Sequence, residues 1–409
     1  MKKIKLFIIL IFISLTTGCW NYRELNDLAI VSAIGIDEEN GVYNVSVQIM
    51  DPAQQGGNTN SSGSSSESTP IDVYEGQGKT ILEAISNVLL KQPGDIFLGH
   101  VDVVVISDQL ARKGIENFID FLLRDRESRK IFPMVITKNT KASDIIKLIT
   151  PLELISGKYI NSTLEATKKN NGIISNRLFD EVLMCLFVEG REATISSIEL
   201  IGSPEKGENL DNPSTSIPST YFQISGSGVF IDDKLVGYFD LKESMGYTYI
   251  RNQSESTVIS VPCDNEGNYA GIKLEKSSSK LKTTIKDRKP IGEITFDTKA
   301  VISEFNCKMD LLKTENIKKM EKITNKELKK LLDNTMISAQ KEFKSDVLGF
   351  GEYLYKNNYK EWKKYKKNWN ETFSNMEYKI KVSTEIRNVG SIIDSLKNSY
   401  EGNPNYGKE

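Results

Sequence analysis

Apolar residues recur along this chain in three rhythms, and each rhythm predicts an element. "LAIVSAIGID" (28–37) is a near-continuous apolar run and predicts a buried strand. "YNVSVQI" (43–49) sets Tyr43, Val45, Val47 and Ile49 against polar neighbours, the alternation of a half-buried strand. Asn40 and Gly41 lie between the two and signal a hairpin. Strand-like "IDVYEG" follows from residue 71. In "KTILEAISNVLL" (79–90) the period lengthens, with Ile81, Ile85, Val88 and Leu89 on one face of a helix. "VDVVVIS" (101–107) predicts a central strand, 110–123 a helix and "IFPMVIT" (131–137) another strand. Alternating strand and helix argues an α/β layer across 70–150, with further helices at 141–149 and 175–187 and a strand at 193–201.

The second half reads differently. "ISGSGVFIDDKLVGYFD" (224–240) predicts a hairpin turning at Asp232 and Asp233, and Asp240 with Glu243 forms a capping box for a helix at 241–249. Strands are expected at 257–262, 269–276, 280–286 and 291–305. A long helix at 316–342 turns Ile317, Met320, Leu328, Leu331, Leu332 and Met336 inward. A second helix begins near Asp346, with Phe343, Val347, Phe350 and Leu354 at helical spacing. Met376, Tyr378, Ile380, Val382 and Ile386 alternate strictly through 376–390, predicting a long one-faced antiparallel strand. The fold class is mixed α/β and multidomain: an α/β-layered N-terminal region, then an antiparallel sheet with helices.

Composition marks the boundaries. Residues 53–69 are a Gly/Ser/Asn run with too little apolar surface to order itself, an exposed loop. Residues 203–220 hold three prolines and predict a linker between a domain at 19–202 and a second at 221–400, with a further division near 290 as an option. The tail at 401–409 should fray.

The leader carries the sharpest local signal. "MKKIK" is basic, "LFIILIFI" (6–13) is apolar, and small residues follow. The apolar stretch is shorter than the roughly 20 residues of a spanning helix and has the layout of a signal peptide over 1–18. "TTGC" (16–19) resembles a lipobox, in which Cys19 becomes the new N-terminus and carries an S-diacylglyceryl group, with N-acylation as an optional addition. Thr16 stands where Leu is commonest, and Leu15 lies one place earlier. Two acyl chains anchor stably where one does not, each buried methylene contributing about 0.8 kcal/mol. The bland alternatives are an uncleaved anchor and Cys19 as a core residue.

Charge and chemistry narrow the function. The net charge is −2, and loss of 1–18 removes Lys2, Lys3 and Lys5 and takes it to −5, which excludes a nucleic-acid footprint over the whole chain. Of Cys185, Cys263 and Cys307, at most two can pair within one chain. No CxxC or HExxH spacing exists for a metal, and no cofactor motif appears. His100 borders a strand and reads as structural rather than as a catalytic base. "RDRESR" (124–129) is either an anion clamp or a solvated salt-bridge cluster. "GSG" (226–228) is too short for a phosphate loop. "EYLYKNNYKEWKKYKKNW" (352–369) mixes lysines with aromatics: a membrane-surface patch, a single-stranded nucleic-acid platform that an exported chain seldom needs, or, the favoured reading, a helix packing its rings on a sheet.

Four stretches carry a family resemblance in order along the chain: "GCWNYRELNDLAIVSAIGID", "FLGHVDVVVISDQLARKGIENFIDFLLRDRESR", "GSGVFIDDKLVGYFDLKES" and "SDVLGFGEYLYKNNYKEWKKYKKNW". They resemble the C-subunit lipoproteins of bacterial spore germinant receptors, the Ger(x)C family. The insert at 53–69 and "KNNYKEW", which lacks a proline before the tryptophan, depart from that pattern. The resemblance implies three mixed α/β domains, no enzyme activity and no cofactor. It implies a lipid anchor at Cys19 on the outer face of the spore inner membrane, with A-type and B-type membrane subunits as partners and no nucleic acid. The rival readings are a ligand-binding lipoprotein feeding a transporter, which would need two similar lobes round a cleft, and a surface hydrolase.

Overall fold

The computed structural model describes residues 27–50, 69, 71–174, 178–263 and 267–388. Its first sheet grows from β1 (Leu28–Glu39) and β2 (Val42–Met50), joined through Asn40 and Gly41, both at positive φ as the hairpin signal requires. β3 (Ile71–Gly78) pairs antiparallel with β2 at the sheet edge. β2 is not half-buried as its alternation predicts, because Ser46 and Gln48 on its polar face are buried as well. Gln48 has its needs met there. Its amide donates to the Ile146 carbonyl (3.0 Å) and to Ser156 Oγ (2.7 Å), and its own oxygen accepts from Gly157 N (3.2 Å).

Beyond β1 the sheet turns parallel through β5 (Val103–Ile106), β6 (Met134–Lys138) and β7 (Thr194–Ile201), while short β4 (Asp95–Phe97) flanks the start of β1. Both faces of these strands are covered, which is why they read as continuous apolar runs. On one face lie α1 (Ile81–Val88), α2 (Asp108–Lys113), α3 (Glu116–Arg124) and α6 (Phe179–Phe187). On the other lie α4 (Ala142–Ile146) and α5 (Ser156–Asn171). Three expectations need correcting. Leu89 lies outside the buried face of α1 and is exposed, Ala84 taking that place. The helix expected at 110–123 is two helices, broken at Gly114, whose φ of 135° ends α2. The α5 helix was not expected, since Ile160 and Leu164 are its only buried aliphatic side chains.

The segment read as a linker, 203–220, carries the short helix α7 (Pro204–Gly207) and joins two strands of one sheet. β8 (Tyr221–Ile231) pairs antiparallel with β7, and β9 (Lys234–Phe239) pairs with β8 through the turn at Asp232 and Asp233. Buried Asn212 fastens the segment, donating to the carbonyls of Ile149 (3.0 Å) and Thr220 (2.8 Å). The β8–β9 hairpin is shared between two cores. Phe230 and Leu235 pack into the first, Val229 and Phe239 into the second.

That second core lies under a four-stranded sheet, β10 (Thr257–Pro262), β11 (Tyr269–Lys286), β12 (Lys289–Phe305) and β13 (Glu377–Asn388). α8 (Leu241–Ile250), opened by the expected Asp240–Glu243 box, covers it together with α9 (Thr314–Ile337). A disulfide, Cys263–Cys307, ties the start of the β10–β11 connection to the residues after β12, and Cys185 is buried in the first core. The two strands expected at 269–276 and 280–286 are one, bent by a bulge between Leu274 and Lys276. β13 pairs parallel with β12, not antiparallel. Its alternation reports one buried face and carries no direction; the helical crossover from 306 to 376 permits the parallel return. Residues 338–342 leave α9 as a turn of π-helix, and Asp346 precedes the next helix, α10 (Phe350–Asn357), instead of beginning it. α11 (Tyr359–Tyr365) and α12 (Trp369–Ser374) complete the cover.

Candidate functional site

A dense polar cluster lies where the two cores meet. It joins the turn after α6, "EGRE" (189–192), to the start of α10 and to α11 and α12. Asp346, fully buried, is its centre. Its Oδ1 accepts from Gly349 N (2.8 Å) and Phe350 N (3.2 Å), and its Oδ2 from Gly351 N (2.7 Å) and Trp369 Nε1 (2.8 Å). Three of these donors are orphan N–H groups at or beside the α10 N-terminus, so the carboxylate caps that helix from inside the protein. Burial pushes the Asp346 carboxyl above its usual range, against the pull of these four donors.

A second layer crosses the seam. Glu352 N donates to Gly190 O (2.7 Å), and Glu192 N to Asp346 O (3.0 Å). Burial alone would raise the Glu352 carboxyl, but Lys356 (2.7 Å), Arg191 (3.1 Å) and Arg251 (3.7 Å) surround it and hold it below its ordinary value. Arg251 also donates to Leu348 O (2.9 Å). Glu189 accepts from Trp362 Nε1 (2.7 Å) and pairs with Lys366, and both lower its carboxyl. Trp362 and Trp369 are buried with ring centroids 5.2 Å apart. The 352–369 stretch therefore packs its tryptophans inward and leaves most of its lysines in solvent. It is not an aromatic membrane patch.

This arrangement joins; it offers no reactive group. Its carboxylates are filled by donors, and no nucleophile sits beside a base. The other residues singled out in the sequence are scattered. His100 is exposed, 5.6 Å from the Phe97 ring, while Ser32 donates straight to Asp102 (2.9 Å) without an intervening imidazole. Arg124 pairs with Asp120 in solvent (2.8 Å), and Asp125 caps its own turn. The "GSG" glycines lie inside β8. A crevice of about 420 Å³ opens at the C-terminal ends of β1, β5 and β6, where open α/β sheets hold ligands. There Asp37 already receives the N–H groups of Ala142 (2.8 Å) and Ser143 (3.0 Å), so the chain fills its own anion position. Among the described residues no group of three or more His, Cys, Asp or Glu is placed to hold a metal, and no helix is long and apolar enough to cross a membrane. The two sheets, one of nine strands and one of four, are not the similar lobes of a transporter's binding protein. Cys19 and residues 1–18, expected as a signal peptide, lie outside the described residues, as do 53–68 of the expected loop and residues 401–409. Sequence reasoning missed the seam. Asp346 before "GFG" was its one visible sign, an acid three residues ahead of Gly349, which caps the start of α10.

Comparison with known proteins accounts for both halves. The family model for the spore germination protein N-terminal domain matches residues 21–200, and that for the spore germination B3/GerAC-like C-terminal domain matches 225–390. Spore germination protein KC of Bacillus subtilis (strain 168) is 28% identical over 398 residues, covering 96% of this chain and 97% of that protein. Spore germination protein B3 of the same organism is 24% identical, covering 96% of this chain and 100% of its own. The crystal structure of the GerBC protein shares the fold, with a TM-score of 0.51 at 20% identity over 86% of this chain and 96% of that one.

Proposed function

The chain belongs to the Ger(x)C family of spore germination proteins, and we propose that it is the lipid-anchored, non-catalytic C subunit of a nutrient-germinant receptor. One observation carries this reading: both family domains are present in order, and the relatives match over nearly their whole length. The seam supports a body whose two halves present one surface to partners. The Cys263–Cys307 disulfide fits an oxidising compartment outside the cytoplasm, as export through residues 1–18 requires.

In this reading Cys19 carries the diacylglyceryl group and holds the body at the outer face of the spore inner membrane, beside A-type and B-type membrane subunits. The body contributes contacts rather than turnover. Spores lacking this chain should lose their germination response to at least one nutrient, and complementation should restore it. The A-type and B-type subunits should co-purify with the native protein from spore membranes. Normal germination of the deletion strain in every nutrient, with no membrane partner recovered, would refute the proposal.

A further inference from the structure

The helices α9 to α12 cover one face of the second sheet, and the other face is open to solvent. The strand register fixes what stands there. Lys282, Glu293 and Lys379 form one row across β11, β12 and β13, and Lys280, Thr295 and Lys381 form the next row on the same face. Four exposed lysines thus frame a patch roughly 7 Å along the strands and 10 Å across them. Further along, Lys276 stands directly opposite Lys299, and Lys286 opposite Lys289. Like charges facing one another across a ladder destabilise it. Glu293, Asp297, Glu377 and Glu385 stand on the same face, fewer than its lysines. Among the described residues, Arg387 with Glu385 (3.2 Å) is the one ion pair on this face. The lysines of α11 and its flank differ, since Lys364 and Lys366 are held by Glu361 and Glu189. The region as a whole is basic. Residues 225–390 hold 30 Lys and Arg against 24 Asp and Glu, in a chain of net charge −2.

We propose that this open face of β11–β13 rests against an anionic bilayer surface. The inference depends on the lipid tether proposed above, which keeps the membrane within reach and makes even a weak contact persist. Between the lysine rows the face carries no exposed aromatic; its one exposed ring, Tyr269, stands at the far end of β11. It works chiefly by charge, so it should discriminate lipids by headgroup and weaken as salt screens it. Charge complementarity selects the occupant: unpaired cations spread over a ladder suit a carpet of phosphates.

The test places the full acylated chain in vesicles and labels its lysines with an amine reagent, read residue by residue by mass spectrometry. In phosphatidylglycerol vesicles at low salt, Lys276, Lys280, Lys282, Lys379 and Lys381 should lose labelling several-fold relative to phosphatidylcholine vesicles. Lys318, Lys322 and Lys326 on the opposite, helical side should be unchanged, and high salt should restore labelling. Equal labelling in the two lipids, or equal protection of the α9 lysines, overturns the proposal. So does protection that persists in phosphatidylcholine, which would place a protein partner on the face instead. A chain that never enters the vesicle fraction reports failure of the tether itself, and protection should then vanish in both lipids. Replacing Lys280, Lys282, Lys379 and Lys381 by Gln should abolish the lipid difference while leaving thermal unfolding unchanged.

Discussion

Removing the Asp346 carboxylate should be among the most damaging single changes in this chain. Asp346→Ala strands four donors at once: Gly349, Phe350 and Gly351 N–H and the Trp369 indole. A buried donor left without a partner costs about 1–3 kcal/mol. Water can enter the space vacated by the carboxylate and relieve some of this, so the expected loss is about 4 kcal/mol, a large part of a typical stability of about 5–15 kcal/mol. Asp346→Asn keeps one oxygen for Gly349 and Phe350 but turns an amide N–H₂ toward Gly351 N and Trp369 Nε1. Two donors then lose their acceptor, and the loss should be about half as large. Urea unfolding of the purified chain followed by tryptophan fluorescence is the assay, because Trp369 touches the substituted side chain and Trp362 lies 5.2 Å from Trp369. The order wild type, Asn, Ala is the critical result. A loss under about 1 kcal/mol for Ala, or equal losses for both variants, would show that Asp346 does not organise the seam.

Other outcomes are equally open to measurement. A Cβ at Gly351 would lie 2.5 Å from Trp369 Nε1 and 2.7 Å from Gly190 O, so Gly351→Ala should cost about 1–3 kcal/mol in the same assay. The lowered Glu352 carboxyl stabilises the fold fully above its ordinary value of 4.5, and this contribution is lost as pH falls through the depressed folded value. Unfolding titrations of Glu352→Gln below pH 4.5 should accordingly show a flatter acid limb than wild type. Removing the disulfide with paired Cys263→Ser and Cys307→Ser changes should lower stability by about 2–4 kcal/mol in urea, and reductant should then have no further effect. Cys19→Ala should shift the chain from the membrane to the soluble fraction or halt maturation; unchanged partitioning would favour an uncleaved leader.

What could be read from the residues was local. Asn40 with Gly41, Asp232 with Asp233, and Asp240 with Glu243 each encode their own geometry within four residues, and all three stand where expected. Gly114 was visible but ambiguous, because a glycine inside an apolar period can be tolerated or can end the helix, and only its φ decides. α5 escaped notice because its buried stripe is too narrow for the period to register. The direction of β13 is not encoded in its alternation at all. The seam was hidden for a further reason. Glu189 and Lys366, or Gly190 and Glu352, are far apart in the chain, and nothing in either segment announces the other.

The hairpin of β8 and β9 has a consequence for how the molecule comes into being. By family boundaries most of it belongs to the second unit, yet it finishes the first sheet. A nascent or exported chain that has delivered only its first 200 residues therefore holds β7 as a raw edge, with Phe230 and Leu235 still missing from its interior. Cut at that point, the leading fragment should clump or wait for a chaperone, and a separately made trailing fragment carrying 221–239 should rescue it by strand donation. The second half is thus a folding template for the first.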